Sequence, residues 1–152
     1  MPGFTFVNNA TYALTEYKAT SPSAALDDGQ IDTAMESLNG AITLTPDVGT
    51  HHVIRANILD EARNAIVGAS DQQSRLALEA CLANGRAVQA NPFAMYIRLN
   101  FAESALTLAS LGLASKDEGA IEEYLRLTTM QPRFWLSHFL LGRAYVETGK
   151  PG

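Results

Sequence analysis

The stretch AIEEYLRLTTMQPRFWLSHFLLGRAYVETG, residues 120–149, decides how this chain folds. Its first half sets Ala120, Tyr124 and Leu127 on one helical face ahead of Pro132. A residue that precedes proline is pushed out of helical geometry, so a helix ends at Gln131 and the chain turns. The same phrase occurs twice more, as Ala34–Leu38–Ala41–Pro46 and Ala80–Asn84–Ala87–Pro92, each alanine twelve residues ahead of its proline. Successive prolines lie 46 and then 40 residues apart. A fixed phrase inside a variable period marks a repeated structural unit with adjustable lengths between its fixed points.

Outward from these anchors the chain reads as seven helices and no strands. Residues 5–19 carry Val7, Ala10, Leu14 and Tyr17 on one stripe, and SPSAALDDGQ follows as a linker. A second helix spans about Ile31–Leu44, with Asp28 or Asp32 as its cap, and a third spans about Val48–Val67 with Val53, Ala56, Leu59 and Ala62 inward. Asp71 is placed to cap the fourth, about Gln72–Gln89, whose inward positions are Leu76, Ala80, Ala83 and Ala87. The fifth runs over about Ala94–Leu111 with Ile97, Phe101, Ala105 and Leu108 in register. The sixth follows Asp117 to about Thr129, and the seventh covers about Phe134–Glu147 before a closing glycine, Gly149. Alanine at the crossing point of two helices lets them approach closely. The fold class expected is therefore all-α, a stack of antiparallel helix pairs.

After Pro132 come Leu141-Gly142, then Tyr145, then Gly149. A Leu-Gly pair, an aromatic one turn later and a terminal glycine resemble the first helix of a tetratricopeptide repeat (TPR). Residues 120–149 are thus similar to the second helix of one such repeat followed by the first helix of the next. The resemblance thins elsewhere: Leu38 and Asn84 stand where Tyr124 does, and Arg55-Ala56 and Phe101-Ala102 replace the Leu-Gly pair. The periods also exceed the ~34 residues usual in that family. What the resemblance implies is a TPR-like α-α superhelix acting as a non-enzymatic scaffold for a protein or peptide. Ala41–Val48 and Asn91-Pro92-Phe93 further resemble the soluble tails of bacterial O-antigen ligase or polymerase-like membrane proteins. That resemblance implies an extramembrane tail whose chemistry lies outside this segment.

Bulk composition narrows the partners. The chain has 152 residues, 47% hydrophobic and 18% charged, with net charge −5 and lysine only at Lys18, Lys116 and Lys150. Such a surface gives no drive toward a phosphate backbone, so nucleic acid is not an expected partner. No apolar run approaches the ~20 residues that cross a bilayer, so the segment itself is not expected to insert. The N-terminus MPGFTFVNNATY lacks the pattern of a secretory leader. The compartment stays open between the cytoplasm and, for a membrane-protein tail, the periplasm or cell exterior. Cys81 is the only cysteine and reads as a small core residue on a helix.

Under a TPR register the first helix of each pair lines the binding face. The partner-binding candidates are Asn57, Asp60 and Glu61, then Tyr96, Leu99 and Glu103, then Phe139, Arg143 and Glu147. Asparagine can donate to and accept from an extended backbone at once. The acids would select a basic peptide, and no lysine stands ready to clamp a carboxylate. His51-His52 is no metal pair, because adjacent helical residues point about 100° apart and Arg55 fills the i+4 place. His138 is expected in the core or at an interface. Asp60-Glu61 and Glu122-Glu123 have no convergent base or nucleophile, so no catalytic residue, metal or cofactor is expected. An array should end in a polar capping helix, yet this one stops after an apolar first helix. Residues 1–152 are thus read as one repeat domain, a fragment of a longer protein or one that self-associates through its last helix.

Overall fold

The computed structural model describes residues 28–68, 70–113 and 118–149. Six α-helices follow in order: α1 Asp28–Leu44, α2 Gly49–Ala65, α3 Asp71–Ala90, α4 Met95–Ser110, α5 Glu118–Met130 and α6 Trp135–Thr148. No strand occurs among the described residues, so the fold class is all-α. The helix expected over 5–19 lies outside them, which leaves six helices where seven were expected. Among the described residues no helix is long and apolar enough to cross a membrane.

Each helix packs mainly on the next one along the chain, while α2 also meets α4 and α4 meets α6. The apolar interior is accordingly divided. One cluster joins α1 to α2, a second joins α2 to α3, and a third sets Val53, Ala87 and Ile97 between α2, α3 and α4. A fourth, around Tyr124 and Leu127, joins α4, α5 and α6. The alanines of the repeated phrase, Ala34, Ala80 and Ala120, are all buried, as are Leu38, Asn84 and Tyr124 four residues on. Burial of each large apolar side chain is worth roughly 1.5–3 kcal/mol against exposure, so these positions fix the pairing of helices.

In the middle repeat the phrase holds a polar residue. Asn84 Nδ2 donates to Ser104 Oγ at 2.5 Å and to the Asn100 carbonyl at 3.3 Å, tying α3 to α4. On α4 Ile97 and Leu108 are buried as expected, but Ala102 and Leu106 are buried where Phe101 and Ala105 were expected, and those two are only partly so. The cap of α3 is Ser70, whose hydroxyl accepts from Gln73 N at 3.1 Å, and Asp71 sits in the first turn instead. Serine in an extended conformation just before the helix satisfies an otherwise orphaned donor, and Asp71 beside it complements the helix dipole.

The unequal periods have a single main source. Helices α2 and α4 are nearly equal at 17 and 16 residues, but α3 has 20 residues and α5 only 13. Because the alanine-to-proline distance is constant, the seven extra residues of α3 all precede Ala80. They lengthen the helix by about 10 Å at the end away from its proline.

The three proline turns are copies of one another. Thr45, Asn91 and Gln131 donate their N–H to the carbonyls of Ala41, Ala87 and Leu127, closing the preceding helix at 2.9, 2.9 and 3.0 Å. Their own carbonyls accept from Val48, Ala94 and Phe134, at 3.2, 3.3 and 3.1 Å. The residues that start α2, α4 and α6 have no capping side chain. A donor in the first helical turn reaches back instead. His52 Nε2 lies 2.9 Å from the Pro46 carbonyl oxygen, Arg98 Nε donates to that of Pro92, and His138 Nε2 lies 2.8 Å from that of Pro132. His138 is thus exposed and holds a turn, contrary to the core or interface role expected of it. A cation in the first turn opposes the helix dipole. Arg98 is balanced by Glu123 of α5, which takes its Nη1 at 2.8 Å in a buried pair.

His51, also buried, sets Nδ1 3.3 Å from Thr45 Oγ1. Burial holds its pKa below the ordinary 6.5, the Thr45 backbone hydrogen bond opposes this in part, and His52 adds to the lowering. The unfolded chain therefore binds this proton before the folded one does, and stability is lost as pH falls below about 6.5. Asp60 acts oppositely and lower down, since burial raises its carboxyl above 3.8 against the attraction of Arg63. Urea midpoints measured between pH 7.5 and 5 should fall for the natural chain. The decline should be shallower in His51→Ile, the residue type that Ile97 supplies at the same place in the next repeat; an unchanged slope would assign it elsewhere. Among the turn donors, Arg98→Met leaves the buried Glu123 carboxylate only the half-exposed Arg126, 3.6 Å away, and should cost about 3 kcal/mol. His138→Ala, at the surface, should cost about 1 kcal/mol by chemical denaturation.

Candidate functional site

Asn57, Glu103 and Arg143 each stand eleven residues after a proline, on α2, α4 and α6. Since α4 adjoins α6, the last two meet. Arg143 Nη2 donates to both carboxylate oxygens of Glu103, at 2.6 and 2.7 Å. Tyr124 of α5 donates its hydroxyl to Glu103 Oε1 at 2.8 Å, and Glu147 Oε1 lies 3.2 Å from Arg143 Nε. One carboxylate thus receives two helices, and its arginine is steadied by a second acid one turn on.

The electrostatics follow from this grouping. Burial, then the hydrogen bond and charge of Glu103, push the Tyr124 hydroxyl far above its ordinary pKa of 10, so it remains a donor at any physiological pH. The hydrogen bond to Glu103 raises the Arg143 guanidinium further above its ordinary range. Both ends of the ion pair are more than a third exposed, so solvent screens it. Its value is positional: it holds the α4 and α6 backbones at a set separation and leaves little net charge between them.

The other expected partner-binding residues scatter around this post. Asn57 and Glu61 are exposed on α2, and Tyr96 is exposed on α4. Leu99 is partly buried against the α4–α6 cluster. Asp60 accepts from Arg63 Nε at 3.3 Å on its own helix, and its charge helps burial raise the Cys81 thiol on α3. Phe139 is exposed and its ring leans on Trp135, with centroids 6.4 Å apart. Structure brings Glu103, Arg143 and Glu147 together and adds Tyr124, which sequence reading placed in the core for packing alone. The available signal was the shared offset of Glu103 and Arg143 from their prolines, one acid and one base on neighbouring first helices.

Two open hollows flank the turns rather than this face. One of about 450 Å³ is bounded by Ile42, Pro46, Asp47, His52, Arg86 and Gln89. The other, about 490 Å³, lies along Gln131, Pro132, Arg133 and Phe134. No family model matches the chain, and no curated protein matches it.

A double-mutant cycle on Glu103→Gln and Arg143→Met should return a coupling of about 0.5–1 kcal/mol, at the upper end for half-exposed pairs because Nη2 reaches both carboxylate oxygens. High salt should shrink it. A coupling of zero would show that the two helices are spaced by packing alone.

Proposed function

We propose that this chain is a non-enzymatic scaffold whose helix pairs stack in a TPR-like superhelix and hold an extended peptide across α2, α4 and α6. The observation that carries the reading is the Glu103–Arg143 bond. It joins equivalent positions of two consecutive first helices, so those helices present one repeating row of side chains. An extended peptide, with a donor and an acceptor on every residue, matches a row with polar and aromatic groups at regular steps.

Within that row Asn57 can engage a peptide backbone at both its donor and acceptor sites, and Tyr96 offers a flat apolar face with a polar tip. Glu61 supplies a negative charge that no partner in the chain neutralises among the described residues. Glu103 and Glu147 are shared with Arg143 and contribute less, so the pull on a basic peptide is concentrated near α2. The face thus favours a peptide with Lys or Arg at one end and an aromatic or aliphatic residue toward α4.

Selection of a random peptide display library on the purified protein tests this. Enriched sequences should carry Lys or Arg, and Glu61→Lys or Tyr96→Ala should weaken them about tenfold while leaving the thermal midpoint unchanged. A library that shows no enrichment, or binders indifferent to both substitutions, would remove the peptide-binding reading.

A further inference from the structure

We propose that α6 is a dimerisation helix, pairing antiparallel with α6 of a second copy of this chain. On the side opposite its buried Ser137, Leu140 and Ala144, α6 presents Trp135, Phe139, Gly142 and Val146 at spacings of four, three and four residues. That is one continuous helical stripe. Trp135 is 70%, Phe139 60% and Val146 82% exposed, and a Cβ placed on Gly142 would meet nothing within 4 Å.

The earlier repeats show that this stripe is built to be covered. Its counterparts on α4 include Ala102 and Leu106, 0% and 4% exposed beneath α5, and on α2 they include Val53 and Ala56, 7% and 0% exposed. Gly49, the counterpart of Trp135, is approached so closely that an added Cβ would lie 3.2 Å from both the Ala87 carbonyl oxygen and Ile97 Cδ1. Among the described residues the stripe on α6 alone is open.

The order of large and small residues selects the occupant. A twofold axis between residues 140 and 141 sets Trp135 against the partner's Val146, and Phe139 against the partner's Gly142. Large meets small at every step, and the axis repeats each match, as an isologous interface requires. Stacking head to tail on α1 offers no such match, because Asp32, Glu36 and Asn39 occupy its exposed positions. One stripe per subunit buries well under the ~1,600 Å² of a standard interface, so the dimer is weak and concentration-dependent.

Trp135 is the only tryptophan, so its emission reports the interface directly. Sedimentation velocity and fluorescence of the full chain from about 1 µM to about 1 mM should show dimer forming as emission shifts to the blue. Gly142→Phe should fold normally, its side chain entering open space, and should stay monomeric because it meets the partner's Phe139. Phe139→Ala combined with Gly142→Phe exchanges large for small across the axis and should restore the dimer. Tyr96 lies on α4, outside the stripe, so Tyr96→Ala should leave dimerisation unchanged. A natural chain that remains monomeric across the range, a Gly142→Phe chain that dimerises equally well, or a double variant that fails to recover would each overturn the pairing.

Discussion

At each proline turn the chain must end one helix and begin another within four residues, with no side chain to cap the new helix. Proline makes the stop certain but leaves its carbonyl without a helical donor. His52, Arg98 and His138 supply that donor from the first turn of the helix that follows. The turn is thereby held from both sides: one backbone bond closes the old helix and one side chain fixes the direction of the new. The helices further along inherit this direction, because among the described residues each helix packs mainly on its neighbour in the chain.

A core divided in this way relies on close approach. With Ala34, Ala80 and Ala120 at the crossings, the helices come near enough for Leu38, Tyr124 and Leu127 to fill the space beside them. The middle junction differs from its neighbours, since Asn84 and Ser104 exchange a hydrogen bond where the other repeats have Leu38 or Tyr124. A polar contact there specifies which helices meet while contributing less apolar burial.

Much of the fold was legible in the residues. The constant run from alanine to proline located each second helix, and pre-proline geometry located each turn. Less legible were details set by partners distant in the chain. Periodicity placed Ile97 and Leu108 correctly but put Phe101 and Ala105 inward between them, where α5 and α6 cover Ala102 and Leu106, a choice that only their packing fixes. The histidines were weighed as metal ligands or core residues, because a bond to a carbonyl six residues upstream has no signature in composition. For the binding face, the register put Glu103 and Arg143 on equivalent positions, yet their bond depends on α4 adjoining α6 forty residues away. Tyr124 was seen as bulk; its hydroxyl gains a role only once α4 lies beside it.

The extra two turns of α3 fall entirely at the end farther from its proline. The molecule therefore has two unequal rims. One carries the prolines and their fastenings, and its geometry admits no insertion without misdirecting the next pair. The opposite rim already tolerates seven additional residues in one repeat, so a fluorophore, a linker or a grafted loop placed after Ala65 would be absorbed there as ordinary variation in length.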